Sequence, residues 1–234
     1  MSKKTIAIVL VGLLALAVAC ESELDGQTAA EVSEPTPMEE VAEAPEGAAE
    51  VVEVRTLAFN EETSKIEWLG AKVTGDHDGG FHKWSGMAEV DSENNLQKVE
   101  FTVDTTSIWS DNDRLTGHLK NEDFFEVETY PEAKFVSRSI EEGVAEGAEG
   151  THTVRGDMTI KDATRTIAFP VTVETTEDLV SVQSAFTLKR FDFNIEYKGM
   201  ADDLIRDEVL VKLHFELPLT AAVAAEEAAE TEEG

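Results

Sequence analysis

The sequence contains a single cysteine, Cys20, among 234 residues. One thiol cannot form an intramolecular disulfide, so a folded domain must be held together by its apolar core. Basic residues are also scarce, because 19 Lys and Arg stand against 49 Asp and Glu and give a formal net charge of -30. Such an acidic chain argues against binding to nucleic acid and against electrostatic docking on anionic lipid.

Common signatures of enzymes are missing as well. The sequence has no Gly-x-Ser-x-Gly elbow and no glycine-rich phosphate-binding loop of the P-loop or dinucleotide type. Its only thiol lies near the N-terminus, so nucleophilic catalysis has no evident candidate. The sequence therefore predicts a protein that is not an enzyme, with no catalytic residue, no resident metal and no cofactor.

A long apolar run occurs only at the N-terminus. Lys3 and Lys4 precede apolar residues 6–19 and then Cys20, which predicts a secretory signal peptide over residues 1–19. Small residues directly before Cys20 resemble a bacterial lipoprotein box, so we expect Cys20 to carry the lipid; secretion without a lipid is the alternative. Anchoring by two or more acyl chains would place the protein in the bacterial cell envelope, on the periplasmic side or in the outer membrane.

Composition divides the rest of the chain. Residues 21–54 contain no Lys or Arg and include Pro35, Pro37 and Pro45, which predicts a solvated, disordered linker over 20–54; a short Ala/Glu helix is the alternative for part of it. Residues 221–234 are similar and form an acidic tail. Residues 55–220 remain as one domain, and no sequence feature specifies its oligomeric state.

Apolar residues in this domain alternate with polar ones, which is typical of β-strands with one wet face. Turn residues separate eight such segments at distances that favour antiparallel pairing. Closing into a barrel, or packing as two sheets, would bury the apolar faces. The predicted strands cover residues 65–73, 81–90, 99–103, 134–139, 152–160, 167–173, 179–188 and 209–217.

Two segments depart from the alternation. Residues 110–130 predict a helix of two to three turns, capped by Ser110 or Asp111, and then a loop that lays Phe124 or Phe125 over one barrel mouth. The apolar positions that should face the barrel interior also shift by one residue around Arg190, and such a shift requires a bulge or bend. An inward guanidinium needs an anionic or carbonyl partner, and Asp192 is the nearest candidate.

Residues 70–86, GAKVTGDHDGGFHKWSG, concentrate polar groups between glycines. One interpretation is a metal-dependent or hydrolytic site formed by Asp76, His77, Asp78 and His82. The favoured one is a turn between strands, in which His77 makes a buried hydrogen bond or serves as a polar handle for a ligand at the barrel mouth.

Five segments of the chain resemble the YceI-like family of bacterial periplasmic and secreted proteins over residues 64–219. The segments are WLGAK at 68–72, HLKNEDFF at 118–125, YPEAKF at 130–135, VRGDMTIK at 154–161 and KRFDF at 189–193. The resemblance implies an all-β, eight-stranded antiparallel lipocalin-like barrel with one short helix and a capping loop. It also implies an elongated apolar interior for a long-chain isoprenoid lipid or a quinone; the 76–80 segment and the lipid anchor differ from the simplest members.

We therefore expect a protein that binds, carries or sequesters an amphiphilic lipid of this type. Arg190 and His77 are the predicted polar handles, and an interaction module in envelope stress is a further alternative. The predicted apolar lining, for which an ordinary filled core is the alternative, consists of Trp68, Trp84, Phe101, Phe124, Phe125, Phe169, Phe186 and Phe215.

Overall fold

The computed structural model describes residues 22–35, 54–201 and 203–221. The predicted signal peptide, Cys20 and almost all of the predicted acidic tail lie outside these residues. Within them are thirteen strands, one α-helix, α1 (Asp113–Leu119), and 3-10 turns at Thr105–Ser107, Arg190–Phe193 and Leu219–Ala221. The strands are β1 (Glu31–Ser33), β2 (Arg55–Asn60), β3 (Lys65–Lys72), β4 (Gly75–Phe81), β5 (Trp84–Val90), β6 (Leu96–Asp104), β7 (Ile108–Ser110), β8 (Glu132–Glu142), β9 (His152–Ile160), β10 (Ala163–Thr175), β11 (Leu179–Lys189), β12 (Gly199–Met200) and β13 (Asp203–Pro218).

The strands form one strongly curled antiparallel sheet in the order β2-β5-β6-β8-β9-β10-β11-β13-β3-β4-β7. Curling brings the first strand of this order back onto β13, where the rings of Phe59 and Phe215 lie 4.9 Å apart. The predicted all-β, lipocalin-like class is confirmed, although the sheet path contains eleven strands and not eight. The predicted strand 81–90 begins in β4 and continues as β5 after a break at His82 and Lys83, and β2 was missed.

Residues 76–80 do not form the predicted turn. They belong to β4, which pairs with β3, and the chain reverses at Val73 and Thr74. Gly79 is needed there because a Cβ atom would lie 2.1 Å from the carbonyl oxygen of Trp109 and 2.3 Å from the ring of Trp68. This glycine thus serves close packing of two tryptophans against the strand and not chain reversal.

One end of the barrel is filled by aromatic side chains. Phe215 packs against Trp84 and Phe101, with ring centroids 5.4 and 5.5 Å apart. Phe169 stacks on Phe186 at 4.2 Å. These rings are almost fully buried, so this half of the barrel is an ordinary packed core.

The predicted helix and loop cover the other end. Helix α1 has about two turns and is capped by Asn112, whose side chain accepts a hydrogen bond from the Leu115 amide at 3.1 Å. The predicted cap at Ser110 or Asp111 was therefore one or two residues too early. Phe124 in the following loop is buried and Phe125 is half-buried, as expected for a loop that lies over the barrel mouth.

Residues 22–33, here called the strap, correct the prediction of a solvated linker for this part of the chain, while residues 36–53 of the predicted linker lie outside the described residues. β10 and β11 pair only where residues 172–175 face 180–183. Beyond that point the strap lies between them: β1 pairs with residues 166–168 of β10, and the Ala30 amide donates to the Thr187 carbonyl of β11 at 2.9 Å. The acidic composition of the strap predicts a linker, but backbone groups form hydrogen bonds whatever the charge of the side chains. These pairings therefore could not be predicted from composition.

Replacement of Gly79 by alanine tests the packing that shapes β4. We expect Gly79→Ala to destabilise the fold by about 2 kcal/mol or more, since the added methyl group must displace Trp68 or the backbone of Trp109. The control is Gly117→Ala in α1, where a Cβ atom meets nothing within 4 Å; it should be neutral or stabilising by up to about 1 kcal/mol. Urea unfolding measures both, and equal effects would contradict this account.

Candidate functional site

A cavity of about 980 Å³ lies inside the barrel at the end covered by α1. Its walls come from the inner faces of β3, β6, β11 and β13, and its cover comes from α1 and the loop that follows. The lining is mostly apolar. Residues that line it include Ile66, Trp68, Phe81, Phe101, Val103, Leu115, Leu119, Phe124, Phe125, Met158, Ile160, Phe186, Leu188, Phe193, Ile195, Ile205, Val209, Val211 and Leu213.

Some predicted lining residues face this cavity and others do not. Those that line it are Trp68, Phe101, Phe124, Phe125 and Phe186, and the two predicted polar handles, His77 and Arg190, line it as well. Trp84, Phe169 and Phe215 are not among its lining residues and belong to the packed half of the barrel. The alternation along a strand therefore predicts which side chains face the barrel interior. It does not predict how far along the barrel axis the packed core extends before the cavity begins.

Arg190 is almost completely buried, with 6% of its surface exposed. It lies in the 3-10 turn that follows β11, which is the predicted bend. Its guanidinium donates hydrogen bonds to the carbonyl oxygens of Arg206 at 3.0 Å, Ile195 at 2.8 Å and Ile205 at 3.4 Å. Carbonyl groups thus take the place proposed for Asp192.

Burial lowers the pKa of the Arg190 guanidinium, and the charge of Asp207 offsets part of this effect. The side chain nevertheless stays protonated, as arginine does throughout the pH range of proteins. Three of its five N–H groups are occupied by the carbonyl oxygens. A positive charge with spare donors therefore lies in the wall of the cavity.

His77 lies at the mouth and is held by Asp111, which the sequence indicated only as a candidate helix cap. Its Nδ1 is 2.9 Å from Oδ1 of Asp111, and the same oxygen accepts a hydrogen bond from the Ser110 hydroxyl at 2.8 Å. Partial burial acts to raise the pKa of Asp111, but the hydrogen bonds from Ser110 and His77 hold it below its usual value. Because Ser110 donates to Asp111 and not to His77, the three do not form a nucleophilic triad.

The proposed metal or hydrolytic cluster is not assembled. Asp76 bonds to the Ser22 hydroxyl at 2.7 Å, and the ring of His82 stacks on Trp109 at 5.6 Å. Throughout residues 22–35, 54–201 and 203–221, no three His, Cys, Asp or Glu side chains are grouped so that they could hold a metal ion. His77 contacts Asp111, whereas Asp76 and His82 contact other residues. The alternative of a metal-dependent site at residues 76–82 is therefore wrong.

Several polar residues at the mouth were not anticipated. Lys72 and Asp203 line it and form an ion pair of 2.6 Å, although 131 positions separate them in sequence. Arg114 and Asn121 line it from α1 and the following loop, next to His118, which bonds to Asp123 at 3.1 Å. The HLKNEDFF segment indicated part of this group, whereas no local signal indicated the Lys72–Asp203 pair.

The curled antiparallel sheet and the apolar cavity inside it define the class of lipocalin-like barrels. Within that class the chain belongs to the family of the YceI-like domain, whose model matches residues 57–217. A UPF0312 protein of Pseudomonas putida (strain W619) is 33% identical over 97 residues, which make up 42% of this chain and 45% of that protein. The chain thus matches less than half the length of this relative.

Two solved structures support the same fold. Burkholderia cenocepacia BcnA has a TM-score of 0.60 and 25% identity, and the match covers 68% of this chain and 98% of BcnA. A domain from Saccharophagus degradans, described as a polyisoprenoid binding domain, has a TM-score of 0.53 and 16% identity, with coverage of 71% and 99%. Separately, no helix in the part of the chain that the structure describes is long and apolar enough to cross a bilayer.

Replacement of Arg190 by methionine tests its structural role at the cavity wall. The change keeps an apolar stem but leaves buried carbonyl groups without their donor, so we expect a loss of about 3 kcal/mol in the free energy of unfolding. Lys189→Met is the matched control, because Lys189 is the exposed neighbouring residue. Chemical unfolding should separate the two variants clearly; a similar small loss in both would contradict the assignment.

The acid dependence of stability tests the Lys72–Asp203 pair. Hydrogen bonds from Lys72 and Thr74 hold the pKa of Asp203 below its ordinary value. The pair therefore contributes stability above the ordinary carboxyl pKa of about 3.9, and this contribution is lost as pH falls through the lowered pKa. Asp203→Asn should reduce Tm at pH 7 and lessen the fall of Tm below about pH 4.

The control for this measurement is Asp178→Asn, at an exposed position near the opposite end of the barrel. Thermal unfolding of both variants and the parent chain from pH 7 to pH 2 provides the comparison. A parallel acid profile for Asp203→Asn and the parent would show that the ion pair does not contribute.

Proposed function

We propose that this protein binds, carries or sequesters an amphiphilic lipid of the isoprenoid or quinone type in the bacterial cell envelope, without catalysing a reaction. The observation that carries the proposal is the apolar cavity of about 980 Å³. Its volume lies at the upper end of the ~300–1,000 Å³ range of pockets that hold small-molecule ligands. Apolar walls of this extent suit a hydrocarbon chain better than a polar metabolite.

Burial of the chain supplies the binding energy. Each methylene group removed from water contributes roughly 0.8 kcal/mol, so ~10 such groups offer ~8 kcal/mol before the cost of association is subtracted. Aromatic side chains such as Phe101, Phe125 and Phe186 line the cavity and provide flat surfaces against an unsaturated chain. No reacting group is required for this role.

Polar groups at two depths suit a ligand with a polar head. His77 lies at the mouth, where Lys72, Arg114 and His118 also line the cavity, and Arg190 lies in the wall. A carbonyl or phosphate oxygen can accept hydrogen bonds from these donors. The arrangement favours an amphiphile over a simple hydrocarbon.

The comparison with the Saccharophagus degradans domain supports this class of ligand, because that protein is described as a polyisoprenoid binding domain. We further propose that Cys20 carries the lipid anchor after removal of residues 1–19, which places the barrel at a membrane of the envelope. The basic start, apolar run and small residues before Cys20 support this location.

Analysis of the co-purifying ligand tests the proposed function. The full chain, isolated from its own organism, should show one bound amphiphile in native mass spectrometry, and organic extraction should release an isoprenoid or a quinone. Binding of added ubiquinone or polyprenol, followed by tryptophan fluorescence, should weaken about tenfold in Phe125→Ser because apolar contact is lost.

Met87→Ser is the matched control, since Met87 is exposed and does not line the cavity. It should bind both probes like the parent chain. An isolated protein without a lipid, together with no binding of either probe, would overturn the proposal.

A further inference from the structure

Three exposed apolar side chains lie together at the rim of the cavity mouth. Val73, Met200 and Leu204 are 73%, 67% and 52% exposed, and they are here called the rim patch. The Val73 amide donates to the Leu204 carbonyl at 3.2 Å, and β12 pairs residue 200 with residue 203 of β13. The three side chains therefore lie at two adjacent turns, one between β3 and β4 and one between β12 and β13, which this backbone hydrogen bond joins.

This pair of turns is fastened to the cavity and is not a free loop. The Asp203 carboxylate accepts hydrogen bonds from the Lys72 ammonium at 2.6 Å and the Thr74 amide at 3.1 Å. Lys72, Met200 and Asp203 all line the cavity. The rim patch thus borders the opening through which a ligand would enter.

The strap leads to the same rim. The Ser22 hydroxyl bonds to the carboxylate of Asp76 at 2.7 Å, just beyond the turn that carries Val73. Leu24 is 4% exposed and packs with Leu69 and Leu210 on the outside of the barrel. Because the strap is held by these contacts, the position of Ser22 relative to the rim is fixed.

Only one residue, Glu21, lies between Cys20 and Ser22. The two Cα–Cα steps from Cys20 to Ser22 span at most about 7 Å. A lipid on Cys20 would consequently hold the rim against the bilayer, whereas a flexible linker of the predicted length would leave the barrel free to rotate.

We propose that the rim patch docks on the surface of a zwitterionic bilayer, so that the cavity mouth faces the lipid phase. This inference rests on the proposed function, which supplies the lipid cargo and the anchor. The carboxylates of Asp76, Asp78 and Asp111 lie in the same region. Lys72 and Arg114 line the mouth beside them, and such a mixture of both charges suits zwitterionic headgroups better than anionic ones. Exposed apolar side chains bordering an apolar cavity are suited to contact with the acyl region.

A chemically supplied anchor separates this inference from the proposed lipidation. The chain from residue 20 onwards is coupled through its only thiol to a maleimide phospholipid in phosphatidylcholine vesicles, and amide hydrogen exchange is compared with that of the uncoupled chain. We expect at least tenfold slower exchange at residues 72–76 and 198–205. Exchange should not change in the turn at 143–150, because that turn joins the ends of β8 and β9 remote from the mouth.

Two variants complete the test. Met200→Ser combined with Leu204→Ser should abolish the protection at the rim, whereas Met87→Ser removes an exposed methionine on β5 and should leave the protection intact. Unchanged exchange at the rim, or equal protection at 143–150, would overturn the proposal. So would rim protection that appears without vesicles and grows with protein concentration, because it would identify a second copy of the chain as the occupant.

Attachment of lipid to Cys20 in cells is measured separately by the mass of the isolated chain. Its absence would refute the proposed anchor but would leave the vesicle result valid. An isolated protein without a lipid that also binds neither ubiquinone nor polyprenol would likewise refute the cargo, and the vesicle result would still stand.

Discussion

The open half of the barrel depends on the buried guanidinium of Arg190. Its hydrogen bonds join the end of β11 to Ile195 and to the beginning of β13 at Ile205 and Arg206. These segments carry apolar side chains that line the cavity. A large apolar residue at this position would occupy the same space but would leave the three carbonyl groups without donors. The guanidinium therefore stabilises the wall through hydrogen bonds and does not need to fill the cavity.

In the other half of the barrel, aromatic side chains fill the interior. Phe215 lies among Phe59, Trp84 and Phe101, and their rings occupy the space between facing strands. Packing there gives the sheet its stability and fixes its curvature, since each ring contacts side chains from several strands. The cavity therefore exists because packing stops above Phe101 and Phe186, where α1 and the Phe124 loop cover the barrel without filling it.

Period-two alternation predicted most of the sheet from the sequence because each strand has one buried face. It did not predict β4, in which glycines replace the buried side chains, because the missing volume is supplied by Trp68 and Trp109 from elsewhere in the chain. The strap was missed for a related reason. Its acidic side chains are typical of a linker, but Leu24 and the backbone of residues 28–33 find partners on the barrel.

The site was predictable only in part. Strand parity placed Trp68, Phe101 and Phe186 on the inner face, where they line the cavity, but it placed Trp84, Phe169 and Phe215 on the same face without revealing that they lie in the packed half. Depth depends on how the sheet curls, and curling is a property of the whole sheet. The ion pair of Lys72 with Asp203 likewise requires β3 and β13 to be neighbours, which no local pattern in either strand indicates.

The strap links the fold to the proposed function through geometry. A flexible linker keeps a protein near a membrane but does not orient it, since its ends explore many directions. Here backbone bonds to Thr187, burial of Leu24 and the contact between Ser22 and Asp76 hold residues 22–33 along the wall of the barrel. An anchor attached just before such a segment would present the mouth and not a random face to the bilayer. A lipid could then move between membrane and cavity with little of its chain exposed to water, and that exposure is the main cost of transferring an apolar chain.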